Sequence, residues 1–196
     1  MYINSQLKNI NIVINNVNED IKKNNNLLNQ LKINYISNDN TNNTNIIENK
    51  NEIICIYDKQ EEEINLLHDY NEDLDDWPEE DKKSYIEGKN NINEKNIEIY
   101  INNKRIKFDY KYKSNEKGEI KVKFIFNKLL TSTCNMFFNC SSLKSIDLSS
   151  FNTSNVNNMR WMFYECTTLK TIDLSLFNTS SVNNMKCMFC YCSSLK

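Results

Sequence analysis

The chain has 196 residues, 39% hydrophobic and 26% charged, with 24 Lys+Arg against 26 Asp+Glu for a formal net charge of −2. That balance excludes a blanket attraction to nucleic acid or anionic membrane, and 2 glycines in the whole chain cannot build a glycine-rich phosphate loop. No apolar run reaches the roughly 18 residues of a membrane span, and the amino terminus lacks the charged region, apolar core and cleavage site of an export signal.

Within residues 1–36, Leu7, Ile10, Ile14, Val17, Ile21, Asn24, Leu28 and Leu31 follow alternating three- and four-residue steps that continue to Tyr35. This spacing predicts a coiled-coil helix that self-associates, with Asn24 on the seam to fix register. A lone amphipathic helix packed on the rest of the protein is the alternative. Residues 37–51 are Asn, Thr and Asp without an apolar period, and predict a flexible linker.

Residues 52–126 predict a small α+β domain. Ile53, Ile54 and Ile56 mark a first strand, and Ile64, Leu66 and Leu67 a second. Trp77-Pro78-Glu79-Glu80 opens a helix, with acids at its positive end, Lys82 and Lys83 later and Gly88 as its stop. Three strands of period two follow, at Ile97, Ile99 and Ile101; at Ile106, Phe108, Tyr110 and Tyr112; and at Ile120, Val122, Phe124 and Phe126. Asn102-Asn103 and residues 115–118 form the turns between them. Asparagine makes up roughly a fifth of the chain, so some Asn must stand where glycine usually would. Charge is segregated too: 52–90 hold 4 basic against 14 acidic residues and 91–128 hold 10 against 5, which reads as two faces meeting within one domain. The alternating Lys104, Arg105, Lys107, Lys111 and Lys113 suit the solvated face of a sheet better than a nucleic-acid patch.

From residue 127 one segment recurs at a constant 26 residues: Met136-Phe-Phe-Asn-Cys-Ser-Ser-Leu, Met162-Phe-Tyr-Glu-Cys-Thr-Thr-Leu and Met188-Phe-Cys-Tyr-Cys-Ser-Ser-Leu. A fixed period of this length predicts a stacked solenoid. The expected core is Met136, Cys140, Leu143, Ile146, Leu148 and Phe151; then Val156, Met159, Met162, Phe163, Cys166, Leu169, Ile172, Leu174 and Phe177; then Val182, Met185, Met188, Phe189, Cys192 and Leu195. Ile146 with Leu148, and Ile172 with Leu174, predict one short strand per repeat. Val156, Met159, Met162 and Phe163, and their counterparts at Val182, Met185, Met188 and Phe189, predict helices capped by Thr153 or Ser154 and by Thr179 or Ser180. Laid back by 26, the pattern puts Ile120 on Ile146 and Val122 on Leu148. The last strand of the small domain is then also the first of the solenoid, making that domain an amino-terminal cap. The fold expected is an α/β solenoid of leucine-rich-repeat type with strand-loop-helix repeats, an α+β cap and an amino-terminal coiled coil. The pattern stops in mid-repeat at Lys196, which leaves an apolar edge around Met188, Phe189 and Leu195 and suggests a fragment of a longer array or an end covered by another copy.

The pattern Asn-Thr-Ser-x-Val-x-x-Met-x-x-Met-Phe-x-x-Cys-x-x-Leu-x-x-Ile-Asp-Leu-Ser, at Asn152–Ser175 and again from Asn178 to Leu195, resembles the BspA-like leucine-rich-repeat surface proteins, the group that includes the mycoplasma-type domain of unknown function. The resemblance covers about residues 129–196. It implies a right-handed solenoid used for adhesion or protein binding, and brings no catalytic residues.

The residues left for recognition are Ser145, Asp147 and Ser149 beside Thr171, Asp173 and Ser175, a polar ladder on successive strands. Asp69, Asn71, Asp73, Asp75 and Glu80 fall on calcium-loop positions, but Leu74 stands where that loop needs glycine and Pro78 lies inside it, so a calcium-regulated module is a lesser alternative. Cys187, Cys190 and Cys192 have zinc-ligand spacing, yet they replace Trp161, Tyr164 and Cys166 of the preceding repeat and read as substitutions. His68 is the only histidine, and no Ser or Cys has a visible base beside it. The expectation is therefore a non-enzymatic scaffold without cofactors, metal or nucleic acid, which binds an unidentified protein and does not insert into a membrane. Seven cysteines, three at one repeat position, favour free thiols and a cytoplasmic location; a surface-displayed adhesin is the alternative.

Overall fold

The computed structural model describes residues 51–196. The coiled-coil seam at residues 1–36, and the linker but for its last residue, lie outside the described residues. Residues 51–196 belong to one compact unit.

Strands β1 (Glu52–Lys59), β3 (Ile97–Ile101), β4 (Lys104–Ile106), β6 (Gly118–Phe126) and β7 (Leu143–Asp147) form a five-stranded sheet in the order β4-β3-β6-β1-β7, antiparallel throughout. Strands β2 (Glu63–Asn65) and β5 (Lys111–Lys113) pair separately. Period-two burial explains the sheet: Ile53, Cys55 and Tyr57 of β1, Ile97, Ile99 and Ile101 of β3, and Ile120, Val122, Phe124 and Phe126 of β6 all point inward. That face meets the repeats through Phe124 on Phe137 and Phe126 on Phe151, with ring centroids 5.9 and 5.0 Å apart. Lys59 ends the inward row of β1, and its ammonium donates to the carbonyl oxygens of Glu61, Ser114 and Glu116. The β3–β4 turn has Asn102 at φ 48° and Asn103 at φ 68°, the left-handed pair a two-residue hairpin requires, and so Asn stands in for glycine.

Helix α1 (Glu79–Asn91) begins after Pro78 with Glu79, Glu80 and Asp81 in its first turn. Gly88 does not stop it, because the helix runs on to Asn91. A Cβ at Gly88 would collide with the Cys134 carbonyl and lie 2.8 Å from the Tyr70 ring, so this glycine lets the helix touch the first repeat. The single strand expected over Ile106–Tyr112 is broken in two. Asp109 accepts the Lys111 N–H at 3.0 Å, the Tyr110 carbonyl takes the N–H groups of Leu66 and Leu67, and β5 turns away to pair with β2.

The leucine-rich-repeat solenoid of strand-loop-helix units is overturned. Among the described residues the fold is mostly antiparallel sheet with one short helix, α1, which lies outside the repeats. No strand forms at Ile172 and Leu174, and neither Val156–Phe163 nor Val182–Phe189 is helical. Nor does β6 continue into β7, since β1 lies between them and pairs with both. The reason is in the backbone. Asn135, Trp161 and Cys187 have φ of 61°, 55° and 53°, and Asn139, Glu165 and Tyr191 have φ of 55°, 59° and 61°, so each repeat passes twice through the left-handed region and cannot continue a helix. Between those points the chain makes three-residue turns, as in Met162 N–H to Met159 O, Tyr164 to Trp161 and Cys166 to Phe163. The three-residue spacing of Val156, Met159 and Met162 is that of turns, which sequence periodicity cannot tell from a helix.

Each repeat is thus a turn-rich rung, and the rungs stack. Thr133, Asn135, Phe137 and Asn139 donate their N–H groups to Asn158, Arg160, Met162 and Tyr164 oxygens at 2.8–3.0 Å; Met159, Trp161, Phe163 and Glu165 donate to Asn184, Lys186, Met188 and Cys190 at 2.8–3.1 Å. Phe137, Phe163 and Phe189 stack face to face at 5.4 and 5.5 Å. The Cys166 and Cys192 thiols donate to the Phe137 and Phe163 carbonyls at 3.2 and 2.9 Å. Thr153, expected as a helix cap, instead bridges to Asn178 of the next repeat. Of the expected core, Met136, Cys140, Leu143, Leu148, Phe151, Val156, Met159, Met162, Phe163, Cys166, Leu169 and Met188 are buried. Ile146, Ile172, Leu174, Phe177, Val182, Phe189, Cys192 and Leu195 pack against it half-buried, and Met185 is exposed.

Candidate functional site

Ser145, Asp147, Ser149, Thr171, Asp173 and Ser175 are all exposed. Asp147 and Ser145 lie on the solvent face of the five-stranded sheet. Asp147 pairs with Ile54, which pairs on its other side with Lys123; beyond Lys123 come Tyr100 and Arg105. The next row holds Ser145, Ile56 and Lys121. The ladder read from the repeats is therefore the margin of a wider surface. Lys123 Nζ sits 5.1 Å from the centre of the Tyr100 ring, Tyr100 donates to Glu98 at 3.0 Å, and Arg105 pairs with Glu98 at 3.2 Å. At the far margin Ile146, Asp147, Leu148, Ser149, Asp173, Ser175 and Leu176 line a shallow pocket between two repeats.

The two aspartates have a local task as well. The Ser149 hydroxyl and N–H hold Asp147 below its ordinary pKa, with help from Lys121; the Ser175 N–H and hydroxyl do the same for Asp173. Both stay ionised near neutral pH and are fixed in place. Asn152, Asn158, Asn178 and Asn184 close similar turns by accepting the N–H two residues on. Ile54, Ile56, Tyr100, Lys121 and Lys123 were not foreseen as part of this face. One signal was present, because the run Ile53-Ile54-Cys55-Ile56 is apolar on both sides of a strand whose one face is solvated.

Other candidate residues are used differently. Asp69 accepts from Asn71 and Asp73 from the Asp75 N–H, while Glu80 turns to Arg160 at 3.1 Å, so the calcium-loop residues do not converge. Among the described residues no group of three or more His, Cys, Asp or Glu is disposed to hold a metal ion. Cys192 belongs to the thiol ladder, and a hydrogen bond that the Cys190 thiol donates to Cys187 raises the pKa of Cys190. Burial pushes Cys134 up to about 12 and Cys166 well up, as befits packing thiols. His68 is enclosed by Tyr70, Tyr85 and Phe138, with Glu72 3.8 Å from Nε2, and burial lowers its pKa to about 4. The most consequential residue missed is Arg160, wholly buried. It pairs with Glu80 and Asp81 of α1 and lies 4.0 Å from the Trp161 ring centre, while Asn158 reaches Glu87 at 2.8 Å and Ser84 at 3.2 Å. Cys134 and Lys186 hold the same position in the neighbouring repeats, so nothing in the consensus marks it.

No curated protein and no solved structure matches the chain. Residues 107–196, which take in β5, β6, β7 and all three rungs, match the family described as Mycoplasma protein of unknown function, DUF285.

Proposed function

We propose that the protein is a non-enzymatic interaction module whose solvent-facing sheet, continued by the polar margin of the repeats, docks a partner protein. The observation that carries this reading is the continuity of the face: Asp147 pairs with half-buried Ile54 in a row that runs on through Lys123 to Tyr100, and it lines a shallow pocket together with Asp173, one repeat away and likewise held ionised. Apolar strips rimmed by fixed charges are what protein recognition uses, the strips for affinity and the charges for register. The finer kinship, with the BspA-like repeat proteins, is part of the proposal and rests on the consensus at Asn152–Ser175. So does a cytoplasmic location, supported by seven free cysteines.

A photo-crosslinking residue introduced at Ser149 or Ser175 in the full chain should capture the same partner in cells. One at exposed Lys95 should not, and Asp147→Lys with Asp173→Lys should abolish the adduct. Equal capture from Lys95 would sink the reading. Labelling intact cells with a membrane-impermeant biotin reagent checks the location: capture of the protein, with a cytosolic control unlabelled, would put it on the surface instead.

A further inference from the structure

Each rung makes a tight turn from its first left-handed residue. The N–H of Phe138 donates to Asn135 O at 2.9 Å, that of Tyr164 to Trp161 O at 3.2 Å, and that of Cys190 to Cys187 O at 3.2 Å. Cys187 has φ 53°, beside 61° and 55° for Asn135 and Trp161, so the backbone of this turn belongs to the rung pattern. Only in the third rung are both ends of the turn cysteines. A hydrogen-bonded four-residue turn holds its end Cα atoms within about 7 Å, and a disulfide spans about 4.4–6.8 Å. The Cys190 thiol already donates a hydrogen bond to the Cys187 sulfur, so the two side chains point at each other. The other five thiols are placed differently: Cys55, Cys134, Cys140 and Cys166 are wholly buried, and the Cys192 thiol is held by the Phe163 carbonyl. Cys187 and Cys190 are half-exposed. So are Trp161 and Tyr164 at the same positions of the second rung, which has a rung on each side, and the exposure therefore belongs to the position.

We propose that Cys187 and Cys190 form a redox-active dithiol, a modification site that closes reversibly to an intramolecular disulfide by exchange with a small-molecule disulfide of the glutathione class. Cys187, which receives the hydrogen bond, gives its proton to water, and its thiolate attacks one sulfur of the small disulfide. An S–S bond forms to Cys187, the S–S bond of the reagent breaks, and its other half leaves as a thiolate. Cys190 then gives up its proton and attacks the Cys187 sulfur, displacing the second half. Two protein thiols thus lose two electrons and two protons, and one small disulfide is reduced to two thiols. The turn already holds the two residues together, so closure leaves in place the bonds from Trp161 N–H to Lys186 O and from Phe163 N–H to Met188 O. The sheet face above plays no part in this chemistry, so either reading can fail without the other.

The test is to incubate the reduced full chain with oxidised glutathione, block the remaining thiols with iodoacetamide, digest with trypsin and sequence the peptide Cys187–Lys196 by mass spectrometry. The expected product is that peptide two hydrogens lighter, bridged between Cys187 and Cys190, with Cys192 blocked. It should form about tenfold or more faster than any product at the buried thiols, and dithiothreitol should reverse it with the melting curve unchanged. Cys187→Ala and Cys190→Ala should each stop closure and leave a stable glutathione adduct on the remaining partner, while Cys192→Ala should close as the natural chain does. Stable adducts on both Cys187 and Cys190 of the natural chain, a bridge that takes in Cys192 or joins two chains, or closure only after urea is added would each overturn the proposal.

Discussion

At the residue scale the most specific demands are conformational. Gly88 is needed because the Cys134 carbonyl occupies the place of its Cβ. Alanine normally stabilises a helix interior by about 1 kcal/mol over glycine, but overpacking against backbone costs about 1–3 kcal/mol, so Gly88→Ala should give a net loss in urea unfolding. A gain in stability would mean that α1 does not approach the first rung this closely. His68 makes a pH prediction. Its pKa falls from 6.5 to about 4 on burial, so between those values the unfolded chain binds a proton that the folded chain does not. Stability should therefore rise by about 3 kcal/mol from pH 4 to pH 6.5 and contribute no further slope above it. His68→Phe, with its ring in the same aromatic cage, should flatten that limb in pH-dependent melts.

At the element scale, the repeats show how left-handed residues decide between helix and turn. Six such positions recur at the 26-residue period, two of them asparagines in the first rung. Asn135→Gly should leave stability unchanged or raise it, while Asn135→Val, β-branched at positive φ, should cost about 1–2 kcal/mol by thermal melting. Equal melting of the two variants would contradict the turn geometry. The spacing of Val156, Met159 and Met162 was fully legible as a buried stripe, but period alone assigned it to a helix. The left-handed positions are filled by Asn, Trp, Glu, Cys and Tyr, which carry no common signature. The strands of the small domain were readable because each buries one face only and alternates cleanly. The break at Asp109 was not, because it depends on where Tyr110 finds its partners in Leu66 and Leu67.

For the whole molecule, two contacts hold the sheet, the helix and the rungs together: the aromatic stack and the Arg160 cluster. Phe163 is stacked on both faces and fully buried, whereas Phe189 is half-buried with one neighbour in the stack. Phe163→Ala should cost about 3–5 kcal/mol, and Phe189→Ala clearly less, in equilibrium unfolding. Similar losses would show that the rungs do not stack in this order. Arg160 joins α1 to the second rung. Removing it strands Asp81, which is 18% exposed, and loses the contact with Trp161. Arg160→Ala should therefore destabilise by about 3 kcal/mol, more than Lys186→Ala at the equivalent exposed position in the next rung.

By itself the sequence determined the 26-residue period, the identity of most buried repeat residues and the strands that alternate cleanly. These depend on which side chains avoid water, and hydrophobicity is written in the residue type. Half of the candidate face was legible for the same reason, since polar residues between core positions of a repeat must be exposed. Only the tertiary structure decided that β1 enters between β6 and β7, so that Asp147 shares a surface with Ile54, Lys123 and Tyr100. It alone decided that rungs replace helices, and that Arg160 is buried. Strand pairing and rung stacking join residues far apart in the chain through backbone hydrogen bonds, and backbone groups are common to all the residues involved. Their pairing is set by geometry that no local pattern encodes.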